Sequence, residues 1–93
     1  MNFIELFNVV AKVAKPSHMS FKPAEAMEDA MADLNIDSLD GLVMLMYFCE
    51  IYGVDDETSK EWHPTTVQEC YDLLMAHKTI EPESIEKVKE QIK

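Results

Sequence analysis

Asp33-Leu34-Asn35-Ile36-Asp37-Ser38-Leu39-Asp40-Gly41, running unbroken into the apolar stretch Leu42 to Val54, decides how this chain is read. Between Leu39 and Val54 the only charged residues are Asp40 and Glu50, and Gly53 follows Tyr52 at the far end. Asp37 is a strong helix N-cap, because its carboxylate accepts hydrogen bonds from backbone donors left free in the first turn. The pattern predicts a helix from Ser38 to about Tyr52, stopped by Gly53 at the C′ position. Ser38 then occupies the first helical position, with its hydroxyl at the tip. In an arbitrary Asp-Ser pair such a serine is a capping residue and nothing more.

The helical phase assigns the two sides. At about 100° per residue, Met44, Leu45, Phe48 and Tyr52 fall together and form the expected core face. Leu39, Val43, Met46 and Glu50 fall opposite, with Tyr47 at their edge. A helix apolar nearly all round is buried or faces a partner. A chain of 93 residues cannot bury every side of it, so the second set is expected to be exposed.

Outward from this helix the pattern stays helical. Asn2 can cap a first helix, with Glu5 three residues on. Phe3, Leu6, Phe7, Val10 and Val13 recur at spacings of three and four. Pro16 is read as the stop, with Lys12 and Lys15 suited to the C-terminal turn. Pro23 suits a first helical position, and a short helix is expected within 24–33, with Met27, Met31 and Leu34 on one face. The polar run 55–61 has room for one short helix, and Trp62 is expected to lid the core edge. Thr66-Val67-Gln68-Glu69 reads as a capping box opening a helix with Val67, Tyr71, Leu74 and Met75 inward and His77 and Lys78 near its end. After Pro82-Glu83-Ser84, the register of Ile85, Val88 and Ile92 predicts a last amphipathic helix that packs on the domain. The expected fold is all-α: a small four-helix bundle over 1–80 with a C-terminal helical extension over 81–93.

Composition narrows the function. Eight lysines and no arginine stand against eighteen carboxylates, a net charge of −10. That argues against nucleic acid or an anionic membrane as partner and suits basic proteins, although an acidic surface also serves plain solubility. Cys49, Cys70 and the histidines His18, His63 and His77 have no metal-ligand spacing, so neither zinc nor a disulfide framework is expected. Two lone cysteines suit small core residues in a reducing compartment, the cytoplasm. The glutamate in Met1-Asn2-Phe3-Ile4-Glu5 speaks for a helix rather than a signal peptide, and no stretch suits a membrane span. The chain is expected to be a monomer and not an enzyme.

Leu34-Asn35-Ile36-Asp37-Ser38-Leu39-Asp40 before an apolar helix resembles the modification site of the acyl carrier protein family. The likeness continues through Tyr52-Gly53-Val54, an acidic loop, and Thr65-Thr66-Val67-Gln68 opening a later helix, and covers roughly residues 2–77. It implies a 4′-phosphopantetheine arm, taken from coenzyme A, on Ser38, with acyl intermediates held on it as thioesters. It implies as partners a phosphopantetheinyl transferase and the acyl-transferring, condensing or modifying enzymes of a fatty acid, lipid or polyketide pathway. In the family, acidic residues beside the serine are read by partners, which gives that role to Asp37 and Asp40, with Leu39, Val43, Met46, Tyr47 and Glu50 along the helix. The chain departs from the family where glutamates are usual on the exposed side. Val43 and Cys49 stand there, and Gly41 costs about 1 kcal/mol of helix propensity against alanine. A docking helix made apolar implies a dedicated partner held by a more hydrophobic contact.

Other readings fit less well. A peptidyl or aminoacyl carrier commonly has a Gly-Gly pair before the serine, which is missing here. Asp33-x-Asn35-x-Asp37 matches the start of an EF-hand calcium loop over 33–44. Its required glycine is Ser38, however, and its bidentate glutamate is Met44. Ser38 is not in a G-x-S-x-G elbow, and no histidine is placed by sequence to activate it. A carrier-like domain that only binds proteins keeps the fold and drops the cofactor.

Overall fold

A computed structural model describes residues 2–14 and 22–92, and the readings of Lys15 and Pro16 lie outside that set. Among the described residues five α-helices follow one another: α1 (Phe3–Ala14), α2 (Ser38–Tyr52), α3 (Asp56–Ser59), α4 (Val67–His77) and α5 (Ile85–Ile92). Among the described residues there is no strand, only an isolated bridge between Ala30 and Thr66. The all-α bundle is therefore as the sequence predicts.

α1 begins where Asn2 Oδ1 accepts from Ile4 N at 2.8 Å. It turns Phe3, Leu6, Phe7, Val10 and Ala11 inward. Val13, expected on the same face, lies in the last turn and is 39% exposed. Phe3 and Phe7 meet Phe48 of α2 with ring centroids 5.5 and 6.1 Å apart, and Phe3 meets Tyr71 of α4 edge-on at 4.9 Å. This aromatic knot joins three helices and is the centre of the core.

Between α1 and α2 the structure corrects the sequence reading. No helix starts at Pro23; among the described residues of this segment the helical turn is a 3₁₀ turn over Met31–Leu34. The preceding residues are held by long-range bonds instead of their own ladder. Asn8 of α1 grips the backbone of Ala24 on both sides, accepting from its N–H at 2.7 Å and donating to its carbonyl at 3.1 Å. The carboxylate of Asp29 accepts from Glu25 N and Ala26 N, and those two bonds hold its pKa below the ordinary 3.8. Asp29 and Met27 then offer carbonyls to Val67 N and Gln68 N, two of the first-turn donors of α4.

The expected capping box of α4 is displaced by one residue. Thr66 Oγ1 accepts from Glu69 N at 3.1 Å, but the Glu69 carboxylate reaches back to Thr65, accepting from its amide and its hydroxyl. Val67 and Leu74 are buried as predicted, Tyr71 and Met75 pack against the core, and Cys70 joins them. Trp62 is half-buried against the core, its ring 5.3 Å from that of His77. α5 packs on α1 and α2, with Val88 fully buried and Ile92 3% exposed.

Candidate functional site at the tip of helix α2

The start of α2 is fixed from beneath. Leu34 and Ile36 are both buried, and the residue between them turns the chain. Asn35 does so in the left-handed region, at φ 63° and ψ 32°, a conformation asparagine tolerates better than other non-glycine residues. Ile36 N donates to Met31 O at 3.0 Å and closes the turn. The Leu-Asn-Ile triplet is thus a two-pronged anchor that sets where Asp37 must stand.

From that anchor Asp37 enters the helix extended and caps it, Oδ1 accepting from Asp40 N at 2.9 Å. Asp40 returns the bond at 3.4 Å through Asp37 N. The Asp-Ser-Leu-Asp tetrad is therefore a capping box with aspartate at both ends. Asp37 and Asp40, read as recognition residues, also have this structural task. Ser38 is exposed between them, and its hydroxyl is not engaged by any described residue. Ser38 and Leu39 are exposed residues whose first-turn amides have no intrahelical acceptor, the usual condition for holding an anion at a helix start.

The α2 phase is as the sequence predicts, with one addition and two corrections. Met44, Leu45, Phe48 and Tyr52 are buried. Leu39 and Met46 are 68% and 66% exposed and Glu50 is exposed, but Val43, expected exposed with them, is half-buried beside Tyr47 at the edge. Leu42, not assigned to the outer face above, is 58% exposed and widens it. Cys49, placed on that side by analogy with the family pattern, is instead only 5% exposed. Beside the outer face runs an open groove of about 430 Å³, lined by Val43, Met46, Tyr47, Glu50, Val54 and Asp56 among others.

Burial pushes the Cys70 thiol up to about 12 and raises that of Cys49, so both are protonated and unreactive near neutral pH. Met44, which would be the last ligand of an EF-hand loop, is 1% exposed in the core. Among the described residues no group of three or more histidine, cysteine or carboxylate side chains is placed to hold a metal ion. No helix among them is long and apolar enough to cross a membrane. Compared with protein-family models, curated proteins and solved structures, the chain matches none of them.

Proposed function

We propose that this protein carries acyl intermediates as thioesters on a 4′-phosphopantetheine arm attached to Ser38. It presents them to the enzymes of a fatty acid, lipid or polyketide type of pathway. The observation that carries the reading is the exposed hydroxyl of Ser38, which no described residue engages, at the first position of a fifteen-residue helix inside an Asp37–Asp40 capping box. A modifying enzyme needs a hydroxyl it can reach at a defined place, and an exposed serine beside a capped helix start supports that reading.

The local residues fit such an arm. Its phosphodiester would lie by the open amides of Ser38 and Leu39, where the helix dipole favours negative charge. Asp37 and Asp40 partly oppose that field, but each is engaged with a backbone amide at the cap. When bound, the arm supplies a thiol that holds the acyl group, and the transfer steps belong to the partner enzymes. This chain contributes position: Leu34 and Ile36 anchor the tip, and α2 holds it at a fixed distance from the core.

A second reading, a helical module that binds proteins without cofactor, is favoured by the exposed Leu39, Leu42 and Met46. Intact mass separates the two. Incubation with coenzyme A and a broad-specificity phosphopantetheinyl transferase is expected to add one arm, and Ser38→Ala to abolish the addition. An unchanged mass, under conditions that modify a control carrier, leaves the binding module as the function.

A further inference from the structure

A cavity of about 500 Å³ lies at the other end of α2 from Ser38. It is lined by Tyr52, the last residue of that helix, about 21 Å along the axis from the serine at 1.5 Å per residue. Phe3 of α1, Met27, and Tyr71 and Met75 of α4 supply its apolar wall. Glu81 and Pro82, from the connection between α4 and α5, complete it. Thr79 N and Ile80 N donate to Tyr52 O at 2.9 and 3.2 Å and tie that connection to the helix end. A space of this size suits a small molecule.

The fold leaves one polar group here without a partner. Tyr52 is 4% exposed, yet its hydroxyl makes no hydrogen bond with a described residue. Among the described residues every fully enclosed side-chain polar atom has a partner, so this hydroxyl keeps a narrow opening, and the cavity supplies it. Burial, and then the neighbouring Tyr71 and Glu81, push its pKa up to about 12, so it keeps its proton at neutral pH. A buried hydroxyl with no partner is unfavourable for folding, and a ligand that bonds to it offsets that penalty.

The lining selects the ligand. No basic residue lines the cavity, and its one charged group is Glu81, of which Lys78 engages one carboxylate oxygen, Oε1. Gln68 gives its Nε2 to Asp72 Oδ1 at 2.8 Å, which leaves its carbonyl oxygen as an acceptor. An anionic head finds a carboxylate here and no cation. An ammonium finds acceptors and the faces of two tyrosines. The rings of Phe3, Tyr52 and Tyr71, with the sulfurs of Met27 and Met75, suit an aromatic body.

We propose that this cavity binds a small aromatic amine, its ring among Phe3, Tyr71 and Met75 and its ammonium at the Tyr52 hydroxyl and the Glu81 carboxylate. The site is separate from the attachment serine of the carrier reading and does not require Ser38 to be modified.

The test uses the full chain carrying Ser38→Ala, so that a failure of carrier function cannot be mistaken for a failure of this site. The probe is phenylpropylamine, with phenylpropionate as a control of the same body and opposite charge. The amine is expected to bind with amide shifts concentrated around residues 27, 52, 71, 75 and 81, and the acid roughly tenfold more weakly or not at all. Tyr52→Phe keeps the ring and removes only the hydroxyl. It is expected to weaken the amine several-fold while leaving the melting temperature at or above the parent's, because the lost group had no partner. Glu81→Gln is expected to weaken the amine and to narrow its margin over the acid. Equal affinity for amine and acid overturns the proposal. So does the absence of shifts at about 10 mM amine, or binding that neither substitution changes.

Discussion

The two ends of α2 are finished by different means. At the C-terminal end Gly53 turns at φ 67°, and Val54 N closes back on Cys49 O at 2.8 Å. The exposed carbonyls are then answered by distant chain. Thr79 N and Ile80 N both donate to Tyr52 O, Thr79 Oγ1 donates to Gly53 O, and Gln91 Nε2 donates to Glu50 O. At the N-terminal end the caps among the described residues are the local pair Asp37 and Asp40, and Ser38, Leu39 and Leu42 are exposed. One end is built into the fold and the other is left reachable. The lesson is that rigidity comes from the closed end and from the anchor beneath the tip, which frees the tip for contact.

That contrast can be broken most severely by removing the cover. Truncation after Lys78 deletes the bonds to Tyr52 and the burial of Val88 and Ile92, each side chain worth about 1.5–3 kcal/mol. A loss of about 3 kcal/mol or more is expected in denaturant unfolding. An unchanged midpoint, with unprotected amides over 82–92 in the parent, would show that the closed end is not closed.

The two glycines of the region give the next test, with opposite signs. A Cβ on Gly53 would collide with Thr79 Oγ1 and approach Ile80 Cγ1 at 3.0 Å, in a left-handed backbone. Gly53→Ala is expected to cost about 2–3 kcal/mol. A Cβ on Gly41 meets nothing nearer than Met31 Sδ at 3.9 Å, an ordinary contact. Gly41→Ala is expected to stabilise by about 0.5–1 kcal/mol through helix propensity. Equal losses at both sites would mean that the open end is as tightly built as the closed one.

The smallest effect concerns the carboxylate caps elsewhere in the fold. Hydrogen bonds from the amide and then the hydroxyl of Thr65 hold Glu69 below its ordinary 4.5, and bonds from the hydroxyl and amide of Thr58 lower Asp55 from 3.8. A carboxylate lowered by folding lends stability above its unfolded pKa and loses it as pH falls through the folded one. Stability is therefore expected to decline as pH falls below about 4.5, and Glu69→Gln to make that decline shallower. Identical acid profiles for parent and variant would remove Glu69 from the account.

Much of α2 was legible in the sequence because its signals are local. Asp37, the apolar period and Gly53 lie within one stretch, and each states its own boundary condition. The capping role of Asp40 was also there to be read, since it stands three residues after the cap. The segment 24–30 was not legible, because its order comes from Asn8 and from the first turn of α4, remote partners that no periodicity announces. Good helix formers there were overridden by those backbone bonds. The family analogy points Cys49 outward while its residue type reads as core, and the second reading holds. The site itself was legible as a serine on a capped tip; the width of the apolar face, set by Leu42, needed the packing.

The most direct test of the central claim is to locate the modified residue. After incubation with a fluorescent coenzyme A and the transferase, proteolytic mapping is expected to place all label on the peptide containing Ser38. Leu42→Gln with Met46→Gln should leave that site unchanged, and Ser38→Ala, still folded by circular dichroism, should carry no label. Label on another residue, or none while a control carrier is fully modified, would contradict the claim that the open end of α2 is a carrier's attachment site.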